Sequence, residues 1–247
     1  MIKTIITAAV LALSTTVASA AQFQYFENFR GGDEGVILLT GEIEVGDANK
    51  LRAFKAVNPG AGYVAFNSPG GIAFEGWAIG AAMSDMRLKS LVGYGHACLS
   101  ACYTAFLGGS DYEINGVLGA HVAWRKEDSM TEGETVSSIL QHGQVLGSYD
   151  AFYHLSNGFG FQLPYHIVNL TSHDTFLIFT NEEQLNKYFV RDEEDNIKQY
   201  LQGIDAEPLV VHASEIWDYV LENVEYTVQN YLAVKGTIVC LNIGEYI

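Results

Sequence analysis

Three short apolar runs, Gly35–Gly41, Tyr63–Asn67 and Ser90–Tyr94, are separated by two stretches of helical spacing, Asn49–Val57 and Ile72–Leu88. This alternation constrains the fold more than any other feature. Continuously apolar runs of this length suit strands covered on both faces, and helical connections between them suit parallel crossovers. The expected architecture is therefore α/β, built on a mostly parallel sheet. The turns are marked by Asn58-Pro59-Gly60 and by Ser68-Pro69-Gly70-Gly71. The pattern continues with a small-residue helix from Ser100 to Leu107, a strand at Val117–Val122 and a long helix from Thr131 to Tyr153. A strand at Thr175–Phe179 and a helix from Asn181 to Phe189 follow. Dinucleotide binding is not expected, because no G-x-G-x-x-G follows the first strand.

Composition narrows the class. The chain has 247 residues, 49% of them hydrophobic and only 17% charged, which is enough for a substantial core and unlike a disordered chain. Thirteen basic residues face 29 acidic ones, for a formal charge of −16. A surface of that sign repels phosphate, so neither nucleic acid nor anionic lipid is an expected partner.

The first twenty residues read as a signal peptide. Lys3 is followed by the apolar run Ile5–Leu13, and Ala18-Ser19-Ala20 is a small-x-small cleavage pattern. The run is too short to span a bilayer, which takes roughly 20 apolar residues. The mature protein is expected in the periplasm or outside the cell, with no membrane insertion after cleavage. Residues 21–190 are read as the α/β domain. The charge run Arg191-Asp192-Glu193-Glu194-Asp195 is read as a solvated boundary loop. Residues 191–247 are read as an α-rich extension packed on the domain or on a neighbouring subunit, with a helix near Ser214–Leu232 and a strand at Thr237–Leu241.

The candidate chemistry gathers at the carboxyl ends of the strands, where ligands collect in open α/β sheets. Ser100 sits where a strand gives way to a helix, a place with unpaired N–H groups and a positive helix end. Gly70 and Gly71 close the turn after the preceding strand and let backbone N–H groups approach a ligand. With the Ala101 N–H they are candidates for an oxyanion hole. His121 ends the next strand and is the candidate general base. Cys98 and Cys102 flank Ser100. The spacing leaves open a disulfide clamping the turn or a pair of buried thiols, with Cys240 the odd one out. His96 would extend the pair to H-x-C-x3-C, but no second cluster completes a zinc site, so no metal and no cofactor is expected.

At these residues the sequence resembles the Clp-type serine peptidases of the ClpP/crotonase-like fold, and more closely their exported ClpP-like relatives. Asn67-Ser68-Pro69-Gly70-Gly71, Cys98-Leu99-Ser100-Ala101-Cys102, the Gly108-Gly109 stop and His121 carry the resemblance, over about residues 35–190. It implies repeated β-β-α and β-α units and a Ser-His-Asp triad acting on a peptide or protein. In this family the acid precedes an apolar strand and a helix opened by paired acids. Ser172-His173-Asp174-Thr175-Phe176 with Asn181-Glu182-Glu183 fits that pattern, so the resemblance assigns Asp174 to orient His121, with Asp150 as the fallback. It also leaves a homo-oligomer open. Val122-Ala123-Trp124-Arg125 lacks the Gln-Pro common after the family's histidine. The rival readings are a non-catalytic binding or assembly module on the same fold, and a redox role for Cys98 and Cys102.

Overall fold

The computed structural model describes residues 20–123, 136–202, 208–216 and 218–220. The elements run β1 (Gln22–Phe26), β2 (Gly35–Thr40), α1 (Asp47–Val57), β3 (Ala61–Asn67), α2 (Ala73–Met86), β4 (Lys89–Val92), β5 (Ala97–Leu99) and α3 (Ala101–Phe106). They continue with β6 (Tyr112–Ile114), β7 (Val117–Ala120), α4 (Val136–Ser156), α5 (Gln162–Leu170), β8 (Thr175–Phe179), α6 (Glu182–Asn186), α7 (Glu193–Gln202) and β9 (Leu209–His212). The leader, apart from Ala20, lies outside the described residues. So do Trp124, Arg125, Cys240, the 237–241 segment and the tail helix beyond residue 220.

The strands form two sheets, a five-stranded one in the order β1-β2-β3-β4-β6 and a four-stranded one in the order β5-β7-β8-β9. In the first, β2, β3, β4 and β6 are parallel and β1 joins the edge antiparallel. The β2 run Gly35–Leu39 is wholly buried, as a strand with helices or chain on both sides must be. In the second, β5 and β7 are parallel, while β8 and β9 add antiparallel. Its alternate residues serve two cores. Cys98, Leu118, Ala120, Leu177 and Phe179 face the main one. Ala97, Val117, Phe176, Ile178 and Val211 form a smaller one with Ile216 and Val220. That is the period-2 signature of a sheet covered on both faces.

The sheets are joined just past the end of β3. Ser68 bridges Cys98 in parallel: its N–H donates to Ala97 O at 2.8 Å and its carbonyl accepts from Leu99 N at 3.0 Å. The chain leaving one sheet thus becomes a short edge of the other and carries Gly70 and Gly71 to the start of α3.

Helices α2 and α3 pack without side chains between parts of their backbones. A Cβ on Gly76 would lie 2.3 Å from Ala101 O, and one on Gly108, just past α3, 2.1 Å from Gly80 O. Only glycine permits that approach.

The charge run at 191–195 is not simply a loop, as expected from its composition. α7 starts inside it at Glu193, with three acids in its first turn, and Asp192 Oδ1 accepts from Asp195 N at 2.9 Å. Acids concentrated at a helix start satisfy its free N–H groups and its positive end. The helix expected through Phe189 stops at Asn186. Among the described residues, no helix is long and apolar enough to cross a membrane.

Candidate active site

Ser100 occupies a single-residue corner between β5 and α3. Its N–H donates to Gly119 O on β7 at 2.9 Å, which anchors the corner to the second sheet. Its backbone lies at φ 57°, ψ −123°, a region that side-chain-bearing residues avoid. Such a conformation costs about 1–3 kcal/mol and persists only where the surroundings impose it. A sharp strand-to-helix turn of this kind is a recurrent way of lifting a serine oxygen clear of the sheet.

The surroundings that impose it are specific. Gly70, at φ 99°, presses against the corner: a Cβ there would lie 2.5 Å from Leu99 O and 2.6 Å from Ser100 Cβ. On the inner side, Cys98 and Cys102 are joined by a disulfide, with Cα atoms 5.1 Å apart. Both cysteines are fully buried.

His121 follows directly on β7. Its Nε2 lies 2.7 Å from Ser100 Oγ, and its Nδ1 lies 3.2 Å from Ser172 O. A carbonyl can only accept, so Nδ1 carries the proton and Nε2 presents its lone pair to the serine hydroxyl. Phe176 lies against the imidazole, with ring centroids 4.5 Å apart. Burial pulls the His121 pKa below its ordinary value; the Ser172 carbonyl opposes this, and the neighbouring His173 adds to it. The ring is therefore neutral near pH 7, as a base must be.

Asp174, assigned by resemblance to orient His121, makes no hydrogen bond or ion pair with it. Its Oδ1 accepts from Ser172 Oγ, and its Oδ2 lies 3.4 Å from His212 Nε2 and 3.9 Å from His173 Nε2. Those three partners hold its carboxyl below the ordinary carboxylate range, the Ser172 hydroxyl most of all. The physical reason is position. Ser172 lies between the two residues, its carbonyl toward His121 and its hydroxyl toward Asp174. The fallback Asp150, on α4, does not bond His121 either. It lines the same cavity as Ser100, His121 and Trp77, and its Oδ2 lies 3.6 Å from His154 Nδ1.

The expected oxyanion donors divide. Gly70 N–H is engaged by Ser68 Oγ at 3.1 Å. Gly71 N–H has no hydrogen-bond partner among the described residues. Ala101 is the first residue of α3, so its N–H has no acceptor four residues back within the helix.

Ser172 is the residue that sequence reasoning passes over. It acts through a backbone carbonyl, which no residue type announces. Its own N–H donates to Thr175 Oγ1 at 2.7 Å, and Thr171 Oγ1 accepts from Val122 N at 3.1 Å. A short polar segment thus positions the chain on both sides of His121. His96, in the turn before β5, is held at a pKa of about 4 by burial, and its Nδ1 has no hydrogen-bond partner among the described residues. His154 is buried between Tyr103 and the Asp150 carbonyl, a satisfied core histidine. Among the described residues no group of three or more His, Cys, Asp or Glu is arranged to hold a metal ion.

No family model matches the sequence, and no curated protein is similar to it. Among solved structures, the chain is similar to a mutant of the 1510-N membrane-bound stomatin-specific protease, with a TM-score of 0.40 and 15% identity, over 66% of this chain and 81% of that one.

Proposed function

We propose that the chain is an exported serine hydrolase of ClpP/crotonase-like build, acting on peptides or proteins. One observation carries the reading: the 2.7 Å contact of His121 Nε2 with the hydroxyl of a serine held at positive φ on a strand-to-helix corner. A plain capping serine needs neither the strained backbone nor an imidazole lone pair.

The chemistry follows from these atoms. His121 Nε2 takes the proton as Ser100 Oγ bonds to the carbonyl carbon. The Ala101 and Gly71 N–H groups, neither bonded among the described residues, are the donors offered to the developing oxyanion, each worth roughly 3–4 kcal/mol of barrier. Gly70 serves by letting its turn lie against the corner. His121 then gives its proton to the leaving amine, the C–N bond breaks, and water repeats the sequence on the acyl-enzyme. The Ser172 carbonyl holds Nδ1–H throughout, and Asp174 acts on it only through Ser172. The N-terminal pattern supports delivery to the periplasm or beyond; assembly as a homo-oligomer is part of the same family-based reading.

Fluorophosphonate labelling of the mature protein, with the adduct mapped by mass spectrometry, tests it. An adduct on Ser100 that disappears in His121→Ala is expected. Its absence in folded protein would overturn the reading. One observation favours the rival, a non-catalytic module: His121 Nδ1 meets a carbonyl rather than a carboxylate. A folded, unlabelled protein that binds peptide would establish that alternative.

A further inference from the structure

We propose that the Cys98–Cys102 disulfide is a positioning element for Ser100, a brace that holds the nucleophile's backbone in its reactive conformation. The inference rests on the hydrolase reading above.

The placement argues for it. Cys98 lies in β5, paired with Leu118 of β7 and bridged to Ser68. Cys102 is the second residue of α3. Ser100 is the midpoint of the bridged segment. Both anchors are fully buried in the main core, so the brace ties two fixed points across the one residue that would otherwise relax. A serine at φ 57° gains by returning to negative φ. The bond between positions 98 and 102 narrows the backbone rotations through which the segment could make that change.

Sequence separation points the same way. The bridge spans four positions. A cross-link stabilises a fold chiefly by restricting the unfolded chain, and does so least when the loop it closes is short. A bridge this local still stabilises the fold by restricting the unfolded chain, though less than a bridge across a long loop. It also restricts the geometry inside the loop, where the proposed nucleophile sits. Gly70 and the glycine face of α2 bear on the corner from outside, and the disulfide resists from within.

Opening the brace takes two electrons and two protons. A dithiol supplies them: the Sγ–Sγ bond breaks, two thiols form, and the reductant closes to a cyclic disulfide. Ser100 Oγ then loses its fixed relation to His121 Nε2 and to the Ala101 N–H, while the rest of the site is unchanged. A loss of alignment on this scale lowers the rate of bond formation more than the affinity for a ligand.

The test compares fluorophosphonate labelling kinetics of the oxidised protein, the dithiol-reduced protein and Cys98→Ala/Cys102→Ala. Thiols are counted by maleimide capture after denaturation, and folding is followed by circular dichroism. The expected result is a fall of about 10- to 100-fold in the maximal labelling rate of the reduced and variant proteins. The fluorophosphonate concentration for half-maximal rate stays the same, and the Ser100 amide exchanges faster with solvent. Equal labelling in all three would overturn the brace and leave the hydrolase reading standing. If the variant fails to fold, the reduced protein decides. Its unfolding as well would make the bridge a staple of the whole fold and overturn the proposal. Failure of the oxidised protein to label at all would overturn the hydrolase reading, and the brace with it.

Discussion

The two halves of the site are held by different physics. On the nucleophile side, Ser100 is confined by a covalent bridge, by a glycine whose Cβ would lie 2.6 Å from its own, and by the burial of Cys98, Ala101 and Cys102 around it. On the base side, His121 is steered by a polar segment, Thr171–Thr175, whose Asp174 side chain is 43% exposed. Hydroxyl and carbonyl hydrogen bonds do the holding there. Sterics and covalent bonds tolerate little displacement, whereas partly buried hydrogen bonds near the surface can exchange with water at modest net cost. Changes on the first side should therefore be all-or-none, and changes on the second graded.

The largest expected effect is loss of the reacting pair. Ser100→Ala and His121→Ala should each reduce hydrolysis about a thousandfold or more, with the Ser100 variant within about 0.5 kcal/mol of wild-type stability. Steady-state rates and thermal melts read both; full activity in Ser100→Ala would end the hydrolase reading. Next comes Gly70→Ala, which adds atoms where none fit and at a φ that alanine avoids. It should cost about 1–3 kcal/mol of stability and most of the activity. Wild-type behaviour would mean the corner is not confined as described.

A pH profile sharpens the contrast. The buried His121 titrates below its ordinary value, so the active neutral form persists to lower pH than an exposed histidine would allow. The rate should fall on acidification with an inflection below about 6.5, losing about tenfold per unit beneath it. An inflection above that value would mean that a carboxylate pairs with the imidazole in the working state.

The smallest effect is expected from Asp174→Asn, which alters only a partner of Ser172. The rate should fall less than about tenfold, where removing an acid bonded directly to the base costs about 10⁴-fold. A loss of that larger size would show that Asp174 reaches His121 during turnover and would erase the contrast between the two sides.

Much of the fold can be read in the sequence. Val36–Leu39 admits only a covered strand, and the Asn58-Pro59-Gly60 and Ser68–Gly71 punctuation marks where helix and strand stop. What hides has a physical reason. β5 is three residues long and has no period to detect. α5 carries Pro164 near its start, where the missing N–H costs nothing but the sequence looks broken. α7 is disguised as a charge run because its first turn is all acid. At the site, Ser100 and His121 are legible because each ends a strand-like segment. The orienting group is not, because resemblance points to a carboxylate and the contact is made by a carbonyl. The cysteine spacing alone leaves the thiols and the bridge equally open, and only the corner between β5 and α3 brings the two sulfurs together.

The glycine contact between α2 and α3 decides where the site can change shape. A contact made of backbone has no rotamers to switch and nothing to trim. Along Gly76, Gly80 and Gly108, substitutions can only add bulk, and there is no room for it. The width available to a ligand beside Ser100 is therefore set by side chains, those of Trp77 on α2 itself, Asp150 on α4 and Ile167 on α5. Selectivity in such a site is adjusted by exchanging those side chains while the backbone contact stays constant.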